Sequence, residues 1–252
     1  MNFSSIIKED SIFSNVKVIV LEKRKKYIKE TLAKMSLPFS QFDAILGEDI
    51  NIENLIATKK LDKNHSFKNK NEIACYLSHI ACIENFYKSS MESIFIFEDD
   101  IEYTSFAKEK VNKAMQLTLK DWDIVNFGRC WANCFKESKK FSIIKTPDFL
   151  CAHSYAVSRE GARKILTNCY PAKVPVDILY RSLSRSGALI SYASSPRIFS
   201  QRRETNTGLS SSLQNLDNCR ECTYIANEDI LLTCFIIIIL LLAYFAYLKI
   251  KK

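Results

Sequence analysis

The feature that most constrains the fold is a short apolar run that ends in three acids. Residues 93–97 are all apolar apart from the first, and Glu98-Asp99-Asp100 follow them directly. An unbroken run of β-branched and aromatic residues predicts a strand that is covered on both faces, as in the sheet of an α/β domain. Ionised carboxylates lose favourable hydration when they are buried without a partner, so three of them at the strand end need a cation or solvent.

The acids form a candidate metal site. Carboxylate oxygens on a rigid strand terminus suit Mn²⁺ or Mg²⁺, and ligands of open α/β sheets bind at the carboxyl ends of the strands. Alternate residues of an extended chain point the same way. We therefore expect Asp100 to be a direct metal ligand and Glu98 to be a second ligand or to support one. A solvated acidic turn after an ordinary strand is the alternative.

The rest of the chain alternates between strand and helix patterns. A helix over about residues 71–87 places five apolar side chains at helical spacing, namely Ile73, Leu77, Ile80, Ile83 and Phe86. Further strands are expected near residues 16–21, 41–45, 123–127, 141–146, 154–157 and 188–193, and further helices near 27–35, 107–119, 158–166 and 176–184. This alternation predicts an α/β domain with a mostly parallel sheet and helices on both faces.

A motif lies on the helix that precedes the acidic strand. Residues 70–79 read KNEIACYLSH, and the acids follow about twenty residues later. This pair resembles the "KGEIGC..SH" helix and "EDD" strand end of glycosyltransferase family 25, and weaker matches extend over about residues 16–201. The chain departs from the family at Asn71 and Ala74, where the family has glycine. It also has Tyr27 where the arginine that closes the family's first motif would fall.

The resemblance implies a fold, a reaction and a set of site residues. The fold would be a single Rossmann-like domain of the GT-A type. The reaction would be metal-dependent, inverting transfer of galactose or glucose from a UDP-sugar to a glycan, lipid-linked or protein acceptor. The donor would be bound by residues near the first strand and on the motif helix, namely Lys23, Arg24, Glu72, Ser78 and His79.

Carboxylates are the candidate catalytic groups, because an inverting displacement needs a base for the acceptor hydroxyl. Asp177, in the sequence Pro175-Val176-Asp177, is the predicted base, and Asp123 is the alternative. Asp99 is predicted to hold the ribose or the sugar of the donor.

Two other functions use the same residues. A catalytically silent relative that acts as a membrane scaffold is the main alternative, because two glycines of the motif are replaced. A phosphoryl-transfer or nuclease site is the second alternative. A nuclease would concentrate its basic residues along one groove, interleaved with aromatics. The net charge of +8 is not arranged in that way, so we expect no nucleic-acid partner.

The C-terminal part predicts a membrane anchor. Residues 230–248 contain no charged side chain, and at about 1.5 Å per residue they are just long enough to cross a hydrocarbon core of about 30 Å. The predicted organisation is a catalytic domain over residues 1–201, a polar linker over 202–229, the span over 230–248 and a basic tail over 249–252. Residues 1–10 lack the apolar core of a signal peptide.

The cysteines and the position of the predicted span indicate on which side of the membrane the catalytic domain lies. Four of the nine cysteines could form a zinc site, but their spacing is weak support for one: Cys130, Cys134, Cys219 and Cys222. The odd count favours mostly reduced thiols. A span so near the C-terminus would insert after synthesis, so we expect the catalytic domain to face the cytosol, with the lumen as the alternative.

Overall fold

The computed structural model describes residues 12–118, 121–130 and 141–202, all within one unit, Met1–Arg220. A second unit, Glu221–Lys252, lies outside these ranges. The strands are β1 (Val16–Val20), β2 (Ser40–Asp43), β3 (Ser93–Glu98), β4 (Ile101–Tyr103), β5 (Ile124–Asn126), β6 (Ser142–Lys145), β7 (Ser154–Ser158), β8 (Ser191–Ser195) and β9 (Phe199–Gln201). The α-helices are α1 (Lys25–Lys34), α2 (Ile52–Ala57), α3 (Lys70–Tyr87), α4 (Ala107–Leu117), α5 (Arg159–Asn168) and α6 (Val176–Arg185).

Seven strands form the central sheet, in the order β2-β1-β3-β7-β5-β8-β6. The pairs β1–β2, β1–β3 and β5–β8 are parallel, whereas β7 is antiparallel to both β3 and β5, and β6 is antiparallel to β8. Five strands therefore run in one direction, and only β6 and β7 oppose them. The α/β class and the largely parallel sheet are confirmed.

The apolar run before the acids is covered on both faces, as predicted. Ile94 and Ile96 belong to the core cluster under α3, α5 and α6. Phe95 and Phe97 point to the opposite face and pack in the cluster under α1 and α4. All four side chains are fully buried. The sheet is thus the middle of three layers, and its core fixes the position of the strand end that carries the acids.

Helix α3 begins beside the carboxyl ends of the strands and leads into β3. Its N-cap is Asn69, whose side chain accepts a hydrogen bond from the Glu72 N–H at 3.0 Å, while Glu72 Oε2 accepts one from the Lys68 N–H at 2.8 Å. The two bonds resemble a capping box, except that Glu72 bonds to the N–H of the residue before the N-cap. The five apolar residues predicted for its inner face are all buried.

A second sheet of two antiparallel strands, β4 and β9, was not predicted. It begins at Ile101, directly after the acids, and its far strand ends at Gln201. Within the described ranges, no helix is long and apolar enough to cross a membrane. The predicted span at 230–248 and the linker before it, from residue 203 onward, fall outside those ranges, so the anchor stays a prediction.

Candidate active site

A cleft of about 430 Å³, hereafter the main cleft, opens where β1, β2 and β3 end. Most of the predicted site residues line it, namely Lys23, Arg24, Ser78, His79, Glu98, Asp99 and Asp100. A second cavity of about 210 Å³ adjoins it and holds the other two, Glu72 and Asp177. The two spaces share Cys75 and Glu98 in their walls.

Asp99 is bound within the protein on both of its oxygens. Its Oδ1 accepts a hydrogen bond from Arg24 Nη1 at 2.7 Å, and its Oδ2 accepts one from the Leu21 N–H at 2.6 Å. Both partners of the ion pair are buried. Asp99 therefore ties the end of β3 to the end of β1. Arg24 is turned inward to Asp99, and of the two basic residues Lys23 and Arg24 only Lys23 is exposed to solvent. The predicted contacts of Asp99 and Arg24 with the donor stay predictions.

Asp100 is buried and differs from Asp99 in having a carboxylate oxygen without a partner. No hydrogen bond to its Oδ1 is made by any described residue, and its Oδ2 lies 3.7 Å from Arg24 Nη1. Burial and the neighbouring charge of Glu98 raise the pKa of Asp100 well above its usual range. Because a bound cation would satisfy this oxygen, the residues present fit the metal that the sequence predicts.

Glu98 is held in place by two side chains. Its Oε1 lies 3.1 Å from His79 Nε2, and its Oε2 accepts a hydrogen bond from Gln201 Nε2 at 3.1 Å. Burial alone would raise the pKa of Glu98, but the interactions with His79 outweigh it, so the pKa lies below its usual value. Glu98 is therefore ionised, and each oxygen keeps a further lone pair for another ligand.

His79 orients Glu98 from inside the protein. The ring is fully buried, its Nδ1 lies 2.8 Å from the Tyr155 hydroxyl, and that hydroxyl lies 3.1 Å from the hydroxyl of Tyr180. A chain of hydrogen bonds thus runs from α6 through β7 to the acidic strand end. Tyr155, Tyr180 and Gln201 were not predicted, because their positions depend on strand and helix packing that no local motif reveals.

Ser78 fixes the loop that follows β2. Its hydroxyl donates to the Ala74 carbonyl at 2.7 Å and accepts from the Ile45 N–H at 2.9 Å. The same loop contains Gly47, where an added Cβ would lie 2.0 Å from Asn71 Oδ1. Asn71 and Ala74, which replace the family's glycines, both line the main cleft.

Asp177 lies in the wall of the second cavity, at the start of α6. Its Oδ2 accepts a hydrogen bond from the Cys151 N–H at 3.0 Å, and its Oδ1 accepts one from the Ile178 N–H at 2.9 Å. Burial raises the pKa of Asp177, although these backbone hydrogen bonds oppose the shift. The carboxylate is fixed in orientation and faces the cavity that adjoins Glu98.

Asp123, the alternative base, does not reach either space. It precedes β5, and its Oδ2 accepts hydrogen bonds from Lys164 Nζ at 2.6 Å and from the Ile190 N–H at 2.7 Å. The side chain is buried in these contacts. That alternative was wrong, because the amino end of β5 is at the opposite edge of the sheet from the cleft.

Five of the cysteines lie in the described ranges. Cys130 and Cys151 form a disulfide, whereas Cys75, Cys82 and Cys169 are free thiols. The disulfide differs from the zinc site considered for Cys130, and the other three cysteines of that site lie outside the described residues. Three of the five described cysteines are free, as expected.

Comparisons with known proteins agree on one family. The sequence model of "Glycosyltransferase family 25 (LPS biosynthesis protein)" matches residues 15–180. Procollagen galactosyltransferase 1-B of Xenopus laevis is 25% identical over 170 residues, which cover 61% of this chain and 28% of that protein. Lipooligosaccharide biosynthesis protein lic2B of Haemophilus influenzae is 24% identical over 153 residues, which cover 56% of this chain and 57% of that protein.

A third relative is named as inactive. Inactive glycosyltransferase 25 family member 3 of Homo sapiens is 27% identical over 108 residues, which cover 39% of this chain and 18% of that protein. In each of these three comparisons, the chain spans less than two thirds of the relative's length.

Proposed function

The chain belongs to glycosyltransferase family 25, and on that premise we propose that it transfers a hexose, galactose or glucose, from a UDP-sugar to an acceptor hydroxyl. One observation carries this proposal. The buried carboxylate of Asp100 lines the main cleft with an oxygen that no described residue satisfies. A relative named as a procollagen galactosyltransferase supports the choice of hexose.

Asp100 and Glu98 would hold Mn²⁺ or Mg²⁺, which when bound offsets the negative charge that develops on the leaving diphosphate. The protein prepares both carboxylates for this task. His79 and Gln201 fix Glu98, and the Arg24–Asp99 pair fixes the turn that carries Asp100. Lys23, exposed at the wall of the main cleft, is available to the phosphates of the donor.

Asp177 is the proposed base. In an inverting displacement the acceptor oxygen attacks the anomeric carbon, its proton passes to the base, and the bond from sugar to UDP breaks. Asp177 faces the second cavity, which meets the main cleft at Glu98. A donor in the main cleft and an acceptor in the second cavity would therefore approach each other there. A raised pKa makes Asp177 a stronger base than an exposed aspartate.

Membrane attachment through residues 230–248 is part of the proposal, and the acceptor is accordingly a glycan, lipid-linked or protein hydroxyl near a membrane. The orientation has two candidates. The domain would face either the cytosol or the lumen. The Cys130–Cys151 disulfide favours the lumenal alternative, because disulfides persist mainly in oxidising compartments.

A catalytically silent scaffold is the second candidate function. It is favoured by the relative named as inactive and by Asn71, whose side chain occupies the space beside Gly47 in the wall of the cleft. Release of UDP from a panel of UDP-hexoses, with Mn²⁺ and with a chelator, separates the two candidates. Mn²⁺-dependent release supports the transferase. No release from any donor, together with no donor binding, would overturn it in favour of the scaffold.

A further inference from the structure

We propose that Cys75, His79 and Glu98 form a binding site for a thiophilic divalent cation such as Zn²⁺, which shares Glu98 with the oxygen-ligand site at Asp100. One ligand atom from each of the three residues lies within 4.8 Å of the other two. Cys75 and His79 are four residues apart on α3, so they share one face of the helix. That face meets Glu98 at the end of β3.

The spacing of two of these atoms suits a single ion. His79 Nε2 and Glu98 Oε1 are 3.1 Å apart. Zinc bonds to nitrogen and oxygen are about 2.0–2.1 Å long, so two ligands of one tetrahedral ion lie roughly 3.3 Å apart. The separation of the imidazole nitrogen and the carboxylate oxygen is therefore close to that of two ligands of one cation.

The second nitrogen of His79 has a hydrogen-bond partner, as the second nitrogen of a zinc-bound histidine usually does. Its Nδ1 lies 2.8 Å from the hydroxyl of Tyr155, which in turn is fixed by Tyr180. Such a partner holds the ring and, when Nδ1 carries the proton, leaves the Nε2 lone pair for the metal. The surroundings that orient Glu98 thus also prepare a nitrogen ligand.

The donor set selects a thiophilic ion. A thiolate, an imidazole and a carboxylate suit Zn²⁺, whereas Mg²⁺ and Mn²⁺ prefer oxygen ligands alone. Among the described free cysteines, Cys75 is the one that is not buried, and it lines both the main cleft and the second cavity. An ion here is reachable from solvent, and three protein ligands leave a fourth position open.

The effect of zinc binding on sugar transfer rests on the proposed function. Glu98 is one of the two acids proposed to hold the catalytic ion, so Zn²⁺ bound at Oε1 would compete with that ion for the carboxylate. Zinc at Cys75 would therefore withdraw Glu98 and inhibit sugar transfer. Binding itself does not depend on catalysis, so the two can be tested separately.

Titration of the full-length protein with Co²⁺ alone tests the site, because a cobalt–thiolate bond gives a characteristic near-ultraviolet absorption. Cys75→Ala should lose this absorption and one equivalent of bound Zn²⁺. The control Cys82→Ala, in the buried face of the same helix, should keep both. Equal Co²⁺ and Zn²⁺ binding by Cys75→Ala and the wild type would overturn the proposal.

Protection from alkylation gives a readout in the unaltered protein. Zn²⁺ should slow the modification of Cys75 by iodoacetamide, measured by mass spectrometry of its peptide, at least tenfold. An unchanged rate at saturating Zn²⁺ would also overturn the site.

Activity separates this inference from the proposed function. Zn²⁺ should inhibit Mn²⁺-dependent UDP release by the wild type and by Cys82→Ala, and should inhibit Cys75→Ala at least tenfold less. Metal binding without any turnover would keep the zinc site and defeat the transferase. Turnover without zinc binding would keep the transferase and defeat the zinc site.

Discussion

Three consecutive carboxylates have three different surroundings at the end of β3. Glu98 is held between His79 and Gln201, Asp99 is paired with Arg24, and Asp100 is buried with one oxygen to which no described residue hydrogen-bonds. Because the chain turns at Asp99 and Asp100, all three reach the same cleft. The differences among the three acids therefore come from their neighbouring side chains and not from the alternating side-chain directions of a strand.

The pair formed by Arg24 and Asp99 makes the first prediction. Replacing Arg24 by Met leaves a buried carboxylate without its cation, which costs about 3–5 kcal/mol of unfolding free energy. Urea unfolding followed by circular dichroism measures the loss. The double variant Arg24→Met/Asp99→Asn should regain part of it, because the uncompensated charge is gone. A single variant as stable as the wild type would contradict this account.

The pH dependence of turnover tests Asp177. A base works only when ionised, so the rate falls as the pH drops through its pKa. Because burial raises that pKa, the acid limb should lie at higher pH than for an exposed aspartate. Asp177→Asn should lower kcat by about 10²–10⁴-fold and leave the KM for the donor nearly unchanged. Asp148→Asn, in a surface ion pair with Arg185, is the control, and equal loss in both variants would refute the role of Asp177.

At the scale of elements, the Tyr155 hydroxyl connects α3, β7 and α6. Tyr155→Phe leaves His79 Nδ1 and the Tyr180 hydroxyl without that partner, at a cost of about 1–3 kcal/mol. Tyr192→Phe is the matched control, since the Tyr192 hydroxyl is buried with no hydrogen-bond partner among the described residues. Thermal unfolding of both variants should show a larger loss for Tyr155. A loss no greater than that of the control would mean that the hydrogen-bond chain contributes no stability.

Periodicity was enough to predict most elements of the sheet and its helices. The run before Glu98 and the inner face of α3 carry strong local patterns, and both were found within a few residues of their observed bounds. Strand direction was not predictable, because β7 looks like any buried strand although it runs against both neighbours. The two three-residue strands of the second sheet pair across about a hundred residues, and no local pattern records such a contact.

The candidate site was predictable only where a motif carried it. The acid triplet and residues 70–79 identified the main cleft, and the resemblance to the family added Asp177. Gln201 and Tyr155 contact the site through pairing of distant segments, so the sequence gives no local signal for them. Cys75 could have been found, since its spacing of four from His79 places both on one helix face.

At the scale of the whole molecule, the proposed membrane attachment and its orientation are testable at Asn64. Asn64-His65-Ser66 is a glycosylation sequon, and Asn64 is exposed in a loop. The Cys130–Cys151 disulfide leads us to expect a lumenal domain. Expression in a eukaryotic host should therefore give a glycan at Asn64 that Asn64→Gln removes. An unglycosylated domain open to protease outside intact vesicles would establish the cytosolic orientation instead.

Mn²⁺-dependent UDP release by the wild type and by Asp100→Asn tests the metal-dependent transferase most directly. The wild type should release UDP only with the metal, and the rate of Asp100→Asn should be at least a hundredfold lower. Its unfolding midpoint should not fall, because the asparagine NH₂ can take the place of Oδ1, to which no described residue hydrogen-bonds. Glu102→Gln, an exposed acid on β4, should behave as the wild type. Full activity in Asp100→Asn, or wild-type turnover that a chelator leaves unchanged, would contradict the metal-dependent transferase.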